Sequence, residues 1–331
     1  MKQKNPIVSF FRSREGSLAI FVILCFVVLC LTTNLTGTMF VFLRDLSYLL
    51  VGGLALMMVI LLGEIDISSG TVLGLIGFCT FTLVQSGVPL ILCIVVGILV
   101  GMLNSFIIAL VTVRFRVPSM IVSLAMVKLH IGLFSLLPNA GYVSNIKASV
   151  TALGNIRIAG VIPVMLFLTL ALLAFFCWFM KYTRYGRKVY AVGGSRESAI
   201  LAGINADKIT MISFLISGAL LGVTGVMYWL PRTQVQPSSC MGMEMFFLPI
   251  AVVGGISIAG GSGRPIGILV AGVLIDLLQR AAYLLELGNQ WMYLSYGVIV
   301  LVAVFSMVVD VDIPFLRWGK KQKTSGGGSD A

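Results

Sequence analysis

The sequence predicts an all-α, polytopic membrane protein with about ten transmembrane helices, several of them short or broken. Of its 331 residues, 59% are hydrophobic and 11% are charged, and its mean hydropathy is +1.06. A soluble globular domain carries about 25% charged residues, so most of this chain is suited to lipid. Its net charge of +11 comes from basic residues that flank apolar segments. That distribution sets membrane topology and attracts anionic lipid, and it forms no patch for nucleic acid.

Ten apolar segments can cross a hydrocarbon core of about 30 Å, although several lie at the short end of the usual range. With a cytoplasmic N-terminus, 17 of the 23 lysines and arginines fall in cytoplasmic segments, four outside and two within spans. The positive-inside rule therefore favours an even number of spans and two cytoplasmic termini. The predicted spans are 18–33, 46–62, 70–86, 89–112, 119–137, 161–180, 209–230, 246–260, 265–285 and 292–309.

The predicted domain organisation is one membrane domain with polar ends. Residues 1–17 form a cytoplasmic N-terminal segment, and 18–314 form the transmembrane domain. Residues 315–331 form a cytoplasmic tail whose Gly/Ser-rich end is expected to be disordered. Arg44 and Asp45 are expected to pair in an external loop. No cleavage site clearly follows the first apolar segment, so it is expected to remain as a span.

The segment 181–208 is a long basic connection between two spans. It carries eight charged residues, of which six are basic, so it is expected in the cytoplasm. The pair Gly193–Gly194 interrupts it. Ser195 can then cap a short helix over 196–202, which Gly203 ends. Two interpretations are open: a solvated connector, or a docking surface for a cytosolic partner.

Two glycine-rich apolar segments echo each other at a constant offset of 191 residues. Each lies between a span that descends to the cytoplasm and a span that rises from it. Glycine-interrupted segments at matching places in two halves indicate an internal duplication and a transport route, although chance similarity is the alternative. The matched positions are Gly63, Ile65, Ile67 and Gly70 in the first copy, and Gly254, Ile256, Ile258 and Gly261 in the second.

Glu64 and Asp66 lie in the first of these segments. A carboxylate at the bilayer centre costs about 2.5–3.5 kcal/mol, so acids at that depth face protein or water. The two acids are therefore expected to line a solute path or brace broken helices, unless they are simply hydrated in a cytoplasmic turn.

Asn104 and His130 are polar residues within predicted spans. An amide in lipid needs a partner helix, so an interhelical hydrogen bond is favoured over solute contact for Asn104. For His130, a hydrogen bond within the bundle is favoured over a proton relay. Lys128 could reach the interface only near a helix end. The candidate translocation-path residues are Glu64, Asp66, Asn104, His130, Gly254 and Gly255.

Catalysis by this chain is not expected. The segment GGSGR at 260–264 lacks the lysine and hydroxyl residue of a phosphate-binding loop. His130 is the one histidine, and the six cysteines lack metal-ligand spacing, so neither a hydrolytic triad nor a zinc site can be built. The chain is expected to bind no metal and no cofactor.

The segment 181–208 resembles the coupling loop of permease subunits from ABC sugar importers of the ribose, xylose, galactose and autoinducer-2 type. The resemblance covers most of the chain. It implies a bacterial inner-membrane subunit that contacts a cytosolic ATPase, a periplasmic binding protein and a second permease chain, in a homo- or heterodimer. ATP would be used by the ATPase subunit. The loop residues that carry the resemblance are Gly186-Arg187, Tyr190-Ala191-Val192-Gly193-Gly194, Ala199 and Gly203-Ile204-Asn205.

The resemblance also assigns expected roles. Gln236 and Glu244 match the family's QP…G.E pattern, and Glu244 is expected either to cap a helix, which is slightly favoured, or to dock the binding protein. Asp66 matches the family, whereas Glu64 stands where the family usually has glycine, which would alter substrate preference if the segment lies on the path. The residues expected to couple to the ATPase are Arg187, Gly193, Gly194, Ser195, Arg196, Glu197, Ala199 and Gly203.

An ion-gradient-driven secondary transporter of a small polar solute is the alternative function. Lys128, His130 and Asp66 would then be the coupling residues.

Overall fold

The computed structural model describes residues 39–284 and the single positions Leu294 and Gly297. The predicted spans 18–33 and 292–309, the N-terminal segment and the tail lie outside these residues, apart from the two single positions. The helices are α1 (Met39–Ile60), α2 (Ser69–Gln85), α3 (Leu90–Phe115), α4 (Ser119–Leu136), α5 (Ala148–Gly154), α6 (Val164–Tyr182), α7 (Arg184–Gly194), α8 (Arg196–Leu201), α9 (Ala206–Trp229), α10 (Glu244–Val253) and α11 (Ile266–Leu284).

Other regular structure in residues 39–284 is slight. The strands β1 (Arg157–Ile158) and β2 (Ile162–Pro163) pair antiparallel, with Arg157 opposite Pro163. Short 3-10 helices span Pro138–Gly141 and Pro237–Cys240. The protein is therefore all-α, as predicted.

Within residues 39–284, five helices are long and apolar enough to cross a membrane: α1, α3, α4, α6 and α9. The protein is thus a multi-pass membrane protein. Helix α2 is a shorter apolar helix, and α10 ends at Val253, well before the predicted boundary at residue 260. It ends there because Gly255 adopts φ +88°, a left-handed conformation that glycine tolerates and that stops a helix.

Helix α1 lies at the centre of the bundle. Every residue from Leu46 to Ile60 is buried, and α1 packs against α6, α9, α10 and α11. The peripheral helices α3, α4 and α6 instead expose apolar side chains such as Leu103, Leu129 and Phe167. A chain that buries one apolar helix and exposes others uses lipid as its solvent.

Helices α3 and α9 pack closely through two facing glycine pairs. Gly97 and Gly101 on α3 meet Gly218 and Gly222 on α9, each pair spaced by four residues. A Cβ atom on Gly218 would lie 2.5 Å from the Gly101 carbonyl oxygen, and one on Gly222 would lie 2.4 Å from a Cα of α3. Small residues at this spacing allow helix backbones to approach in a membrane, where dispersion contacts replace the hydrophobic effect.

Charged side chains join α1 to α11 near the beginning of α1. The predicted Arg44–Asp45 pair is present, with 3.3 Å between Arg44 Nη2 and Asp45 Oδ1. Its expected place in an external loop is wrong, because α1 begins at Met39 and includes both residues. Arg280 of α11 also bonds Asp45, at 3.4 Å. A charge within a helical span is thus matched by a partner inside the protein.

Replacing Gly218 by alanine is expected to destabilise the protein by about 1–3 kcal/mol, because the added methyl group pushes α9 away from the Gly101 carbonyl. The measurement is the thermal unfolding midpoint in detergent. Gly132→Ala is the matched control, since Gly132 lies within helix α4 and a Cβ there meets nothing within 4 Å. Equal midpoints for the two variants would contradict the packing described.

Candidate functional site

The ends of the bundle are named here by their contents. The loop end holds α7 and α8, the end of α1 and the beginnings of α9 and α11. The far end holds the beginning of α1 and the segments 138–163 and 231–236. The first glycine turn (residues 61–68) runs from the end of α1 at the loop end into the bundle, where α2 begins, and the second glycine turn (residues 254–265) joins α10 to α11 at the loop end.

Asp66 braces the first glycine turn from inside. The side chain is fully buried, and its Oδ1 accepts hydrogen bonds from the Ser68 backbone nitrogen at 2.8 Å and the Ser68 hydroxyl at 2.7 Å. These bonds satisfy backbone and side-chain donors where α2 begins. Of the expectations for Asp66, bracing matches this geometry and hydration in an open turn does not.

Helix α4 clasps the backbone of the same turn with two hydroxyl groups. Ser119 Oγ accepts from the Ile65 nitrogen at 3.0 Å, and Ser123 Oγ accepts from the Ile67 nitrogen at 3.1 Å. An amide that is not in a helix must find a partner when it is buried, and these serines supply it. The clasp fixes the first glycine turn to α4.

Asn104 and His130 make the interhelical bonds that were favoured for them. The Asn104 amide nitrogen donates to Ser68 Oγ at 3.0 Å, which links α3 to the first glycine turn. His130 Nδ1 lies 2.9 Å from Thr71 Oγ1, which links α4 to α2. Lys128 is exposed on a different face of α4. The structure therefore does not bring Lys128 together with His130 and Asp66 as a secondary transporter would require.

Glu64 does not share the interior position of Asp66. It is half-buried, and it lines a groove of about 310 Å³ at the loop end together with Arg116 and Arg196. The Glu64 carboxylate, which stands where the resembled family usually has glycine, thus lines the same groove as two guanidinium groups near α8.

The predicted short helix in the segment 181–208 is present as α8. Ser195 caps it, since its hydroxyl oxygen accepts from the Ser198 nitrogen at 3.2 Å. Gly203 follows with φ +79°. Helix α7 was not predicted: Thr183 caps it by accepting from the Gly186 nitrogen at 3.1 Å, and the glycine pair that was expected to break the loop ends this helix.

The end of α7 meets both glycine turns at what is called here the glycine junction (Leu61, Gly193, Gly194, Gly260 and Gly261). The Gly261 nitrogen donates to the Leu61 carbonyl oxygen at 2.9 Å, so the two turns are hydrogen-bonded to each other. A Cβ atom on Gly193 would lie 1.8 Å from that same oxygen, and one on Gly261 would lie 2.5 Å from the Gly194 Cα. Only glycine permits three backbones to approach this closely.

Tyr190 adds a side-chain contact between α7 and the second glycine turn. Its hydroxyl donates to the Gly263 carbonyl oxygen at 2.9 Å. Burial raises the pKa of Tyr190, although the positive charge of Arg264 opposes the shift. The phenol therefore keeps its proton near neutral pH and remains a donor.

Arg196 is held by an ion-pair network. Asp207, in the first turn of α9, accepts two hydrogen bonds from Arg116, at 2.8 and 2.9 Å, and also pairs with Arg196. Arg116 precedes α4 in the turn after α3. An exposed pair contributes little alone, but a bidentate pair within a network fixes geometry. The network therefore ties α8 to the end of α3 and to the beginning of α9.

The exposed surface of α8 includes two aliphatic side chains beside Glu197 and Ser198. Ala199, expected to couple to the ATPase, is 3% exposed and packs inward, whereas Ile200 is 54% exposed and Leu201 is 89% exposed. Sequence reasoning missed these two residues. The sequence does contain an indication of their role. Two adjacent aliphatic side chains within a basic loop gain nothing from facing water, so they point to a contact surface.

The remaining loop residues are placed as follows. Arg187 is exposed and donates to the Tyr182 carbonyl oxygen at 3.2 Å. Glu197 is exposed, and its Oε2 lies 3.4 Å from the Ser195 hydroxyl. Among residues 39–284, no group of three or more His, Cys, Asp or Glu side chains is arranged to hold a metal ion.

The segment 231–243 folds back from the far end into the bundle, where Pro237 lies against Gly74 of α2. Gln236 is exposed there, but Glu244 is half-buried at the first position of α10. A Cβ atom on Gly70 would lie 2.1 Å from Glu244 Oε2. Glu244 therefore packs against the beginning of α2, a position that suits the helix-capping role better than a docking surface.

Comparison with known proteins gives one family and several relatives. The family model described as branched-chain amino acid transport system / permease component matches residues 38–305. The L-arabinose ABC transporter permease protein AraH of Azospirillum brasilense is 31% identical over 86% of this chain and 85% of its own length. The ribose import permease protein RbsC of Haemophilus influenzae is 29% identical over 80% of this chain and 83% of its own length. The autoinducer 2 import system permease protein LsrC of Yersinia pseudotuberculosis is 26% identical over 74% of this chain and 69% of its own length. No solved structure gives a significant match.

Replacing Ser123 by alanine is expected to lower the free energy of unfolding by about 1–3 kcal/mol, because the Ile67 amide loses its acceptor while it remains enclosed. Thermal unfolding in detergent is the measurement. Ser135→Ala is the control on the same helix, since the exposed Ser135 hydroxyl bonds only the Ile131 carbonyl of its own helix. A Ser123 variant as stable as the Ser135 variant would contradict the serine clasp.

Proposed function

Since the chain belongs to the family of permease components whose model matches residues 38–305, we propose that it forms the membrane path for a small sugar or sugar-like solute and is driven by a separate ATPase through the segment 181–208. The chain is a translocation subunit of an ABC importer, like its relatives. The substrate class and the coupling residues are the proposed part.

The substrate class is supported by the relatives. Proteins named for the transport of L-arabinose, ribose and autoinducer 2 align over 69–85% of their own lengths. The family description instead names branched-chain amino acids. The individual relatives weigh more here, because one family model spans many importers while each relative is aligned residue by residue.

The observation that carries the coupling proposal is the glycine junction. The segment that carries α8 lies directly on both glycine turns, with no side chain between the three backbones. Close-packed backbones transmit a displacement and do not absorb it. A force on α8 would therefore reach the ends of α1 and α10 and the beginnings of α2 and α11 together.

Alternating access is the proposed outcome of that force. The first glycine turn is fixed to α3 and α4 through Asn104, Ser119 and Ser123. The second is held by its own bonds, such as that from the Ser257 nitrogen to the Ser262 carbonyl oxygen at 3.0 Å. A push at α7 would shift the two turns against these anchors, and the helices that they join would tilt around the path.

The proposed partners follow from the same class. An ATPase subunit would bind the exposed Ile200 and Leu201 of α8, and a binding protein would deliver the solute at the far end, where Gln236 is exposed. A second permease chain would complete the path. In this arrangement the loop end faces the cytoplasm of a bacterial inner membrane, and both termini lie there.

The chain itself is proposed to bind no nucleotide and to catalyse no reaction. Residues 260 and 261, the glycines of the one phosphate-loop-like stretch, are occupied by backbone contacts with Gly193 and Gly194. ATP is then hydrolysed by the partner subunit.

Gly193→Ala is expected to abolish solute uptake while the ATPase complex still hydrolyses ATP. The added methyl group would overlap the Leu61 carbonyl, so α7 must separate from the first glycine turn. Uptake into cells or proteoliposomes, at equal amounts of inserted protein, is the measurement.

Gly194→Ala is the matched control for that experiment. It changes the neighbouring residue by the same methyl group, but a Cβ there meets nothing within 4 Å. Uptake close to that of the unaltered protein is expected. Normal uptake by Gly193→Ala would overturn transmission through the junction.

Leu201→Asp is expected to weaken co-purification of the permease with its ATPase subunit by about tenfold or more, since burying a carboxylate in an apolar pocket costs more than about 1.4 kcal/mol. The fold should be unaffected because Leu201 is 89% exposed. Leu136→Asp is the control, at the far end of α4 and 84% exposed. If both variants retain the ATPase equally, the docking surface is elsewhere.

A further inference from the structure

A groove of about 340 Å³ lies between α7 and the beginning of α9, beside the segment that joins α8 to α9. Its lining combines basic and aliphatic side chains, and the proposed coupling function uses none of them. The lining includes Arg184, Tyr185, Lys188, Ile204, Lys208 and Ile212.

The rim of the groove carries three basic side chains. Arg184 and Lys188 are one helical turn apart on α7, and Lys208 extends from the first turn of α9; all three are exposed. In the part of the chain that the structure describes, none of the three makes an ion pair, in contrast to Arg116 and Arg196 of the neighbouring network. The neighbouring acid, Asp207, is already paired with Arg116 and Arg196. The groove therefore presents three basic side chains that no acid of the described residues pairs with.

The floor of the groove becomes apolar along α9. Lys208, Ile209 and Ile212 follow one another at helical spacing, so they form one stripe that leads from the helix start into the spanning part. Ile212 is half-buried, and so is Ile204 on the adjoining segment. A cationic end and an aliphatic continuation are the two chemistries that a phospholipid requires.

Tyr185 closes the groove on the protein side. Its hydroxyl lies 2.8 Å from Ser213 Oγ and donates to the Ile209 carbonyl oxygen at 3.3 Å. Burial raises the pKa of Tyr185 to about 12, with the Ser213 bond opposing the shift. The phenol stays neutral at physiological pH, so the floor adds no charge that would repel an anion.

The groove lies where the chain leaves one spanning helix and enters the next. Arg184 follows the end of α6 at Tyr182, and Lys208 lies in the first turn of α9; both helices are long and apolar enough to cross a membrane. Basic residues at the cytoplasmic ends of spanning helices lie at the level of the lipid headgroups. The groove is thus at headgroup level, with Ile212 directed toward acyl-chain depth along α9.

We propose that this groove binds the phosphodiester headgroup of one anionic phospholipid, with Arg184, Lys188 and Lys208 around the phosphate and an acyl chain along Ile204 and Ile212. Bound in this way, the lipid bridges α7 and α9 and holds the segment that carries α8 against the bilayer. The proposal depends on the membrane setting and not on ATP coupling.

The test uses the purified full-length chain in detergent, without an ATPase subunit, and native mass spectrometry with phosphatidylglycerol. One tightly retained lipid is expected. Each basic residue near an anionic lipid strengthens binding about fivefold, so replacing all three by glutamine is expected to weaken binding about a hundredfold. Lys188→Arg conserves the charge and should retain the lipid, which separates loss of charge from loss of fold.

Lys181→Gln is the matched control, because Lys181 is an exposed base near the groove that lies over the Tyr182 ring and does not line it. The affinity of the Lys181→Gln variant for phosphatidylglycerol should fall less than twofold. An equal loss in Lys181→Gln and Lys188→Gln would overturn the site in favour of diffuse attraction.

Two further ligands decide the chemistry. Phosphatidylcholine should bind far more weakly than phosphatidylglycerol, and equal binding of the two would overturn the role of the three basic residues. Inorganic phosphate at millimolar concentration should not displace the lipid. Displacement by phosphate, or binding of phosphate with no retained phosphatidylglycerol, would identify a site for a free anion and overturn the lipid assignment.

Discussion

The described structure depends on one backbone contact, the hydrogen bond from the Gly261 nitrogen to the Leu61 carbonyl oxygen, over which Gly193 lies. A hydrogen bond between two turns fixes their relative position, and the third backbone leaves no space for a side chain. Three segments distant in sequence are thus fixed at one point by main-chain atoms alone. Because the interior is close-packed, none of the three can move without displacing the others.

The opposite side of the first glycine turn is held by a different kind of interaction. Hydroxyl and amide side chains of α3 and α4 accept from or donate to that turn, and Asp66 organises it from within. Hydrogen bonds of this kind can lengthen or exchange partners at modest cost, whereas the close-packed backbones of the glycine junction leave no space to move toward one another. The turn therefore has one rigid contact, toward α7, and one compliant contact, toward α4. This asymmetry is what a segment needs if it must move relative to one neighbour and follow another.

The sequence predicted the elements that local chemistry determines. Ser195 and Gly203 delimit α8 because capping and a left-handed residue are properties of a few consecutive positions. Within residues 39–284, the apolar lengths predicted the boundaries of six helices to within three residues: α2, α3, α4, α6, α9 and α11. Helix α7 was missed because three glycines lower its local helix propensity, and its helical state depends on the burial of Val189 and Val192 against other segments.

Sequence reasoning also could not place contacts between distant segments. It linked the segments that begin at Gly63 and Gly254 as an internal echo, and it interpreted Gly193 separately as part of a break in the loop. It did not predict that the two turns and α7 share one junction. It likewise missed the facing glycine pairs of α3 and α9, since each pair acquires meaning only with its partner. Glu244 was assigned two roles because its depth was unknown, and its contact with the beginning of α2 favours the structural one.

The charges of the segment 181–208 divide into two groups with different surroundings. Arg196 pairs with Asp207, which also holds Arg116, so this group ties α8 to the protein. Arg184, Lys188 and Lys208 lie on the other side, around a groove with an aliphatic floor. A paired charge fixes protein geometry, whereas an unpaired basic cluster at the bilayer surface attracts an anion from outside the chain. One loop can therefore be attached to the protein on one side and to the membrane on the other, which leaves the exposed Ile200 and Leu201 of α8 free for a partner.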